Sequence, residues 1–298
     1  MPDYRYLPSQ LAESLRGSSV SVRRPVRGSR TGLHRSPLHG SSVEFAEYRD
    51  YTPGDPTNLI DWAVYARSDR YLVRKYHEET NLRAHVLLDV SASLGFRDEG
   101  PMTKLDCAAF LAAGVMFMLL NQGDSVGLAT FDSRLRDIFK PVGTSEELRP
   151  LLQHLETLRA AGESRIEACL HEAAGLVGPS SLVIVISDFL ADADDVVRGM
   201  RHFHHDGHNL IVLHVSDRGE RRLGFAGVAE LRDLETRARL VVEVDELRDA
   251  YQAAVEEHLQ KIRRGCTECM ADYFLVDTAD PIDETLHRLG GRSAARRA

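Results

Sequence analysis

The stretch "AHVLLDVSASLGF", residues 84–96, is apolar up to Leu88 and then sets Asp89, Ser91 and Ser93 at alternate positions. A short continuous apolar run predicts a strand buried on both faces of a sheet. Such a strand ending in a carboxylate and two hydroxyls predicts an oxygen-rich loop at its carboxyl end. The same pattern recurs downstream. "SVGLATF", "SLVIVISDF" and "HNLIVLHVSD" read as further buried strands, "ARLVVEV" as a short fifth one, and "DYFLVDT" as a last.

Between the strands lie helical patterns. "KLDCAAFLAAGVMFMLLNQGD" is an apolar helix closed by Gly123. "SEELRPLLQHLETL" can be capped by Ser145 and is interrupted by Pro150. "RIEACLHEAAGLVG" ends at Gly178, and "DADDVVRGMRHFHHDG" is a fourth helix. A long amphipathic helix over 245–264 carries Leu247, Tyr251, Val255, Leu259 and Ile262 on a core-facing stripe. Strands alternating with helices predict an α/β fold: a mostly parallel sheet covered by helices on both faces. We expect this domain over 81–290, preceded by a basic arm and small β-rich extension over 1–80 and followed by a basic tail over 291–298.

The 298 residues are 43% hydrophobic and 28% charged, ordinary for a globular protein, and the net charge of −8 argues against wholesale nucleic-acid binding. The first forty residues differ, with seven arginines, no lysine and only Asp3 and Glu13 as acids. "GSSVSVRRPVRGSRTGLHRSPLHGSS" reads as an extended arm. No aromatic residues interleave its basic ones, which favours packing on the acidic remainder of the chain over nucleic-acid contact. The runs at 115–120 and 182–186 are far too short to span ~30 Å of hydrocarbon. The start lacks the apolar core of a signal peptide. A cytoplasmic location follows as an expectation, and four cysteines agree with a reducing compartment. Cys266 and Cys269 form one C-x-x-C without a second pair, so a helix end is the simpler reading than a metal or redox site. "RHFHHDGHN", with His202 and His205 three apart, reads as a polar helix end before a transition-metal site. The runs "DADD" and "RGERR" read as solvated loops.

Ligands of open parallel sheets bind beyond the carboxyl ends of the strands. Asp89 and Asp188 both stand at such ends. Two carboxylates at one sheet edge repel unless a cation lies between them. Ser91 and Ser93 add hydroxyls, and Ser164 in "AAGESRI" offers a third from a loop before a helix. A set of carboxylates and hydroxyls, without His or Cys, is the ligand chemistry of a hard cation such as Mg²⁺, with Mn²⁺ or Ca²⁺ as alternatives.

"LLDVSAS", "GESRIEACL" and "VIVISD" resemble the metal-ion-dependent adhesion site of von Willebrand factor A domains. The resemblance implies that Asp89, Ser91, Ser93, Ser164 and Asp188 are ligands, directly or through water. Ser164 stands where Thr is usual, and Leu94 where Met is common. The upstream segment "GLHRSPLHGSSVEFAEYRDYTPGDPTNLIDWAVYARSDRYLVRKYHEE" resembles the signature of the domain-of-unknown-function-58 family. Its features are Gly-x-His-x-Ser, Phe-x-x-Tyr-Arg-x-Tyr-x-Pro-Gly-Asp, Ile-Asp-Trp and Ala-Arg. This chain departs from it at Pro56 and Asn58, where an Asp and an Arg are usual. Within the segment Tyr48, Tyr51 and Trp62 are large amphipathic side chains, and Arg49 and Arg67 can pair with Asp50, Asp55 or Asp61. Two readings stand for them: stitching of the extension to itself and to the core, or docking of a partner.

The resemblance implies a non-enzymatic, metal-dependent binding module in which a partner's acidic side chain completes the metal shell. It further implies an adaptor that works with a MoxR-type AAA+ ATPase in maturing or remodelling client proteins. The alternative is a Mg²⁺-dependent phosphatase or phosphotransferase using Asp89. Against it, Ser91 stands where a second, acid–base Asp is wanted. Neither a Gly-x-x-x-x-Gly-Lys phosphate loop nor a Gly-x-Ser-x-Gly elbow occurs.

Overall fold

The computed structural model describes residues 3–20, 34–36, 44–52, 55, 57, 60–80 and 82–291. The chain divides into two compact units, residues 24–82 and the remainder. The observed boundary lies two residues beyond the expected one. The expected 1–80 region is itself divided, because residues 1–23 belong with the larger unit. A helix α1 (Ser9–Ser14) and its flanks pack on the long helix α3 (Lys104–Asn121). There the Tyr6 ring meets Phe110 edge-on at 5.1 Å, the Tyr6 hydroxyl donates to Asp106 at 2.7 Å, and Arg5 pairs with Asp106. The Arg-rich arm and the basic tail lie almost wholly outside the described residues, as do Pro56 and Asn58.

The smaller unit holds β1 (His34–Ser36), β2 (Glu44–Asp50) and β3 (Leu72–Thr80) in the antiparallel order β1-β3-β2. The β-rich expectation omitted a helix, α2 (Trp62–Ser68), between β2 and β3. Asp61 caps it, accepting from the N–H groups of Ala63 and Val64. The motif "IDW" is therefore a helix start.

The larger unit is built on six strands: β4 (Arg83–Asp89), β5 (Ser125–Phe131), β6 (Leu135–Val142), β7 (Leu182–Ser187), β8 (Asn209–Ser216) and β11 (Asp272–Asp277). Their order is β11-β8-β7-β4-β5-β6, with all pairs parallel except β5–β6. Every residue of β7 and β8 is buried, as helices on both faces require. Helices α4 (Ser145–Thr157) and α9 (Ile282–Gly291) pack with α3. Helices α5 (Ile166–Ala174), α6 (Ala193–His205) and α8 (Val244–Glu268) pack together. The second group encloses Val183, Val185, Met200, Phe203, Val212 and Ile262 in one apolar core.

Several local expectations are corrected. Thr144, not Ser145, caps α4, and the helix runs through Pro150. Helix α5 stops at Gly175, not Gly178. "DADD" is the capped start of α6, and "RGERR" is a short helix, α7 (Arg218–Arg222). "ARLVVEV" does form a strand, β10 (Arg239–Glu243), but it pairs only with β9 (Val228–Arg232) in a separate hairpin. The stripe on α8 is fully buried only at Ile262; Tyr251, Val255 and Leu259 line a cavity instead.

Helices α6 and α8 cross closely at Gly265, where a Cβ would overlap the Val197 methyls. Gly265→Ala is expected to lower stability by about 1–3 kcal/mol through overpacking, measured by urea unfolding. An unchanged midpoint would mean that Val197 rotates aside at no cost.

Candidate functional site

The order of strand addition reverses between β4 and β7, since the crossover from β4 leads to β5 on one side and the later strands add on the other. At such a switch point the loops diverge and leave a crevice at the strands' carboxyl ends. Asp89 is the last residue of β4, and Asp188 follows the last residue of β7. The two carboxylates thus flank the crevice, and both are buried, Asp89 completely.

Asp89 is held from two sides. Its Oδ1 accepts from the Ser91 N–H at 2.8 Å, and its Oδ2 accepts from the Ser187 hydroxyl at 2.6 Å. Ser187 lies beside Asp89 because β4 and β7 pair in parallel with Leu88 opposite Ile186. The buried hydroxyls of Ser91 and Ser93 are 3.1 Å apart. Burial first, and then the negative charge of Asp188, push the Asp89 carboxyl up to about 7, against lowering by its Ser187 and Ser91 hydrogen bonds.

The loop carrying Ser164 is sewn to this turn. Ala92 N–H donates to the Gly162 carbonyl, and Ala161 N–H to the Val90 carbonyl, both at 2.9 Å. Gly162 has φ +86°, and a Cβ there would crowd the Asp132 carboxylate, so the close approach requires glycine. Ser164 is half-buried. Its N–H donates to Glu235 Oε2 at 3.0 Å, while the other Glu235 oxygen is buried without a hydrogen-bond partner. Glu235 comes from the tip of the β9–β10 hairpin.

Sequence reasoning missed the positive charge at this site. Lys104, the first residue of α3, is fully buried, with Nζ 2.8 Å from Asp188 Oδ2 and 2.8 Å from Glu220 Oε1. Burial works against its ammonium, but the charges of Asp188 and Glu220 outweigh it and the net shift is upward. Burial raises Glu220, partly opposed by Lys104. Ser187 had a signal, being next to Asp188. Lys104 and Glu220 had none, since 104, 188 and 220 meet only through the order of strands.

The chain after Asp188 is strained. Phe189 is buried with φ +50°, a conformation costly for a bulky side chain. Its carbonyl is 3.0 Å from His258 Nε2, and its ring meets His214 at 5.1 Å. Beyond it opens a cavity of about 410 Å³, walled by Leu190, Val255 and Leu259 and edged by Asp188, Glu220 and His214. Burial pushes His214 down to about 3, so this histidine is neutral at physiological pH.

The donor chemistry fits a hard cation: two buried carboxylates that load each other with like charge, and two buried hydroxyls beside them. Among the described residues, no three His, Cys, Asp or Glu side chains converge as a metal cluster. Cys266 and Cys269 are buried at the end of α8, and burial pushes the Cys266 thiol up to about 12. The His cluster disperses. His202 faces His171 at 3.1 Å, His204 meets the Cys269 carbonyl, and His205 is exposed.

In the smaller unit, most of the motif side chains satisfy one another. Tyr48 donates to Asp61 Oδ2 at 2.8 Å, and Arg49 pairs with Asp55 at 2.9 Å. The hydrogen bond from Arg49 and those from Thr52 hold the Asp55 carboxyl well below the usual range. Trp62 is 57% exposed and edges Tyr65, which stacks on Tyr71 at 4.4 Å; Tyr51 lies 6.4 Å from Tyr71. Arg67 is exposed on α2.

The profile of the family described as protein of unknown function DUF58 matches residues 47–261. An uncharacterized protein of Mycobacterium tuberculosis, Rv1480, is 26% identical over 273 residues, covering 90% of this chain and 85% of its own. YeaD of Bacillus subtilis is 24% identical over 154 residues, which is 33% of that protein. Among solved structures, BatB from Bacteroides thetaiotaomicron is similar over 72% of this chain and all of its own, with 17% identity and a TM-score of 0.46. The SpRpn10 VWA domain is similar over 70% of this chain and 94% of its own, at 12% identity and a TM-score of 0.43.

The raised Asp89 makes the fold sensitive to pH. Folded, this carboxyl holds its proton up to about 7, whereas in the unfolded chain it has the ordinary value of about 3.9. Its contribution to stability is therefore full below about pH 4 and is lost as the pH rises through about 7. In buffer with chelator, Asp89→Asn should gain stability relative to the wild type across this window, by at most about 1.4 kcal/mol per pH unit. Urea unfolding at a series of pH values checks it. A difference independent of pH would show that Asp89 titrates normally.

Proposed function

This chain belongs to the family described as protein of unknown function DUF58, and we propose that it is a metal-dependent protein-binding module, not an enzyme. Asp89 and Asp188, with the hydroxyls of Ser91, Ser93 and Ser164, would hold one Mg²⁺, or Mn²⁺ or Ca²⁺ in its place. An acidic side chain of a partner would complete the shell, a directional contact in a partly dry interface. The observation that carries this reading is the crowding of two buried carboxylates at the switch point, with Asp89 raised by burial and by its neighbour. A divalent cation relieves that repulsion and keeps a coordination position open outward.

The partner we propose is a MoxR-type AAA+ ATPase, which this protein would link to client proteins in the cytoplasm. Support comes from the family's motif segment, where Trp62, Tyr65 and Tyr71 form an aromatic cluster with Trp62 largely exposed. Helix α3 is apolar and long enough to cross a membrane, but 78% of it is buried inside the fold, which supports a location away from the bilayer. Phosphoryl transfer through Asp89 is less well supported. Ser91 stands where a second, acid–base carboxyl would be needed, and a hydroxyl does not serve in that role near neutral pH.

Calorimetric titration with Mg²⁺ and Mn²⁺ tests the reading. Saturable binding is expected for the wild type and its loss for Asp89→Ala, with an unchanged circular dichroism spectrum. Capture of a purified MoxR-type ATPase should then require the metal and fail in chelator. Absence of metal binding both with and without the ATPase would remove the proposal.

A further inference from the structure

We propose that Lys104 is a tethered counter-ion for the strand-end carboxylates, holding Asp188 when no divalent cation is bound and competing with the cation when one is. The inference rests on the cation reading above.

Lys104 opens α3 directly after its cap, Thr103. The N-terminus of a helix carries partial positive charge, so an ammonium there is disfavoured by the helix itself. Lysine at a helix start normally extends into water, yet Lys104 is fully buried. Burying an ammonium is costly unless carboxylates compensate it closely. Here two do: Asp188 at 2.8 Å and Glu220 at 2.8 and 2.9 Å. The Phe96 ring, 5.6 Å from Nζ, covers the same group.

Asp89, Asp188 and Glu220 bring three carboxyl groups to the crevice, and Lys104 brings one positive charge. That charge lies on Asp188 and Glu220, 2.8 Å from each. The ammonium therefore compensates part of the acidic load and leaves the rest for a cation. A positive charge in contact with Asp188 must weaken binding of a second positive charge to the same carboxylate. Glu220, already paired with Lys104, keeps the ammonium compensated when a cation takes Asp188. Because Glu220 and Asp188 both edge the cavity beside α8, cation occupancy would be felt there too.

The test compares wild type, Lys104→Met, and Lys104→Met with Glu220→Gln. Methionine keeps the length and apolar stem without the charge. The double variant also removes the surplus carboxylate. Mn²⁺ affinity is read by calorimetry and Tm by circular dichroism, in chelator and in saturating Mn²⁺. We expect Mn²⁺ to bind the variants at least about tenfold more tightly than the wild type. Their Tm should fall in chelator and be restored by Mn²⁺, with a larger rise than in the wild type. A variant unfolded in chelator but refolded by Mn²⁺ supports the proposal equally. Equal Mn²⁺ affinity in all three proteins, or variants that stay unfolded in Mn²⁺, would overturn it and leave Lys104 a purely structural ion pair. Loss of Mn²⁺ binding in the variants alone would overturn it too. Failure of the wild type to bind Mn²⁺ would instead remove the cation reading on which it rests.

Discussion

Asp89 and Asp188 stand at the ends of two neighbouring buried strands, and nothing in the apolar interior can solvate their charges. This constraint organises the upper edge of the sheet. Ser91 N–H and the Ser187 hydroxyl are spent on Asp89, and the ammonium of Lys104 is spent on Asp188 and Glu220. Removing one partner from such a buried set leaves an uncompensated charge, typically at a cost of about 3–5 kcal/mol. The loops are therefore fixed by electrostatics as much as by packing.

Other features of that edge follow. Phe189 is driven into the left-handed region directly after Asp188, and Gly162 occupies the same region where its loop is sewn to Ala92. Asp217, at the end of β8, gathers the N–H groups of Asp98, Glu99, Gly100 and Gly219 and the Thr278 hydroxyl, pinning the loop that leads into Lys104. Glu235 reaches Ser164 from a hairpin distant in sequence. Left-handed backbone is not confined to this edge, since Ser180, Leu223, Arg237 and Met270 adopt it elsewhere in the larger unit.

The smaller unit shows why a dense motif need not be a binding surface. Tyr48, Asp61, Arg49 and Asp55 look like recognition residues in sequence, yet each is engaged with another in shaping the turn and the start of α2. The aromatic group of Trp62, Tyr65 and Tyr71 is different, since its first member presents most of its surface to solvent. Motif density here records local folding constraints first and surface chemistry second.

The sequence by itself determined the strands around "HVLLDV", "SVGLATF" and "VIVIS", the long apolar helix, and the placing of Asp89, Ser91 and Asp188 at strand ends. Those are local properties: periodicity, apolar runs and turn residues act over a few positions, where spacing along the chain equals spacing in the fold. It missed α2, the edge strand β6, α7 and the separate hairpin, because short segments owe their conformation to what they pack against. Only the tertiary structure decided that β4 and β7 are neighbours, and so that Asp89 meets Ser187 and that Lys104 and Glu220 meet Asp188. Lys104 stands first in the apolar helix pattern, and Glu220 lies in the "RGERR" run read as a solvated loop. Their burial is set by strand order and by the charge it brings together, and neither leaves a pattern along the chain.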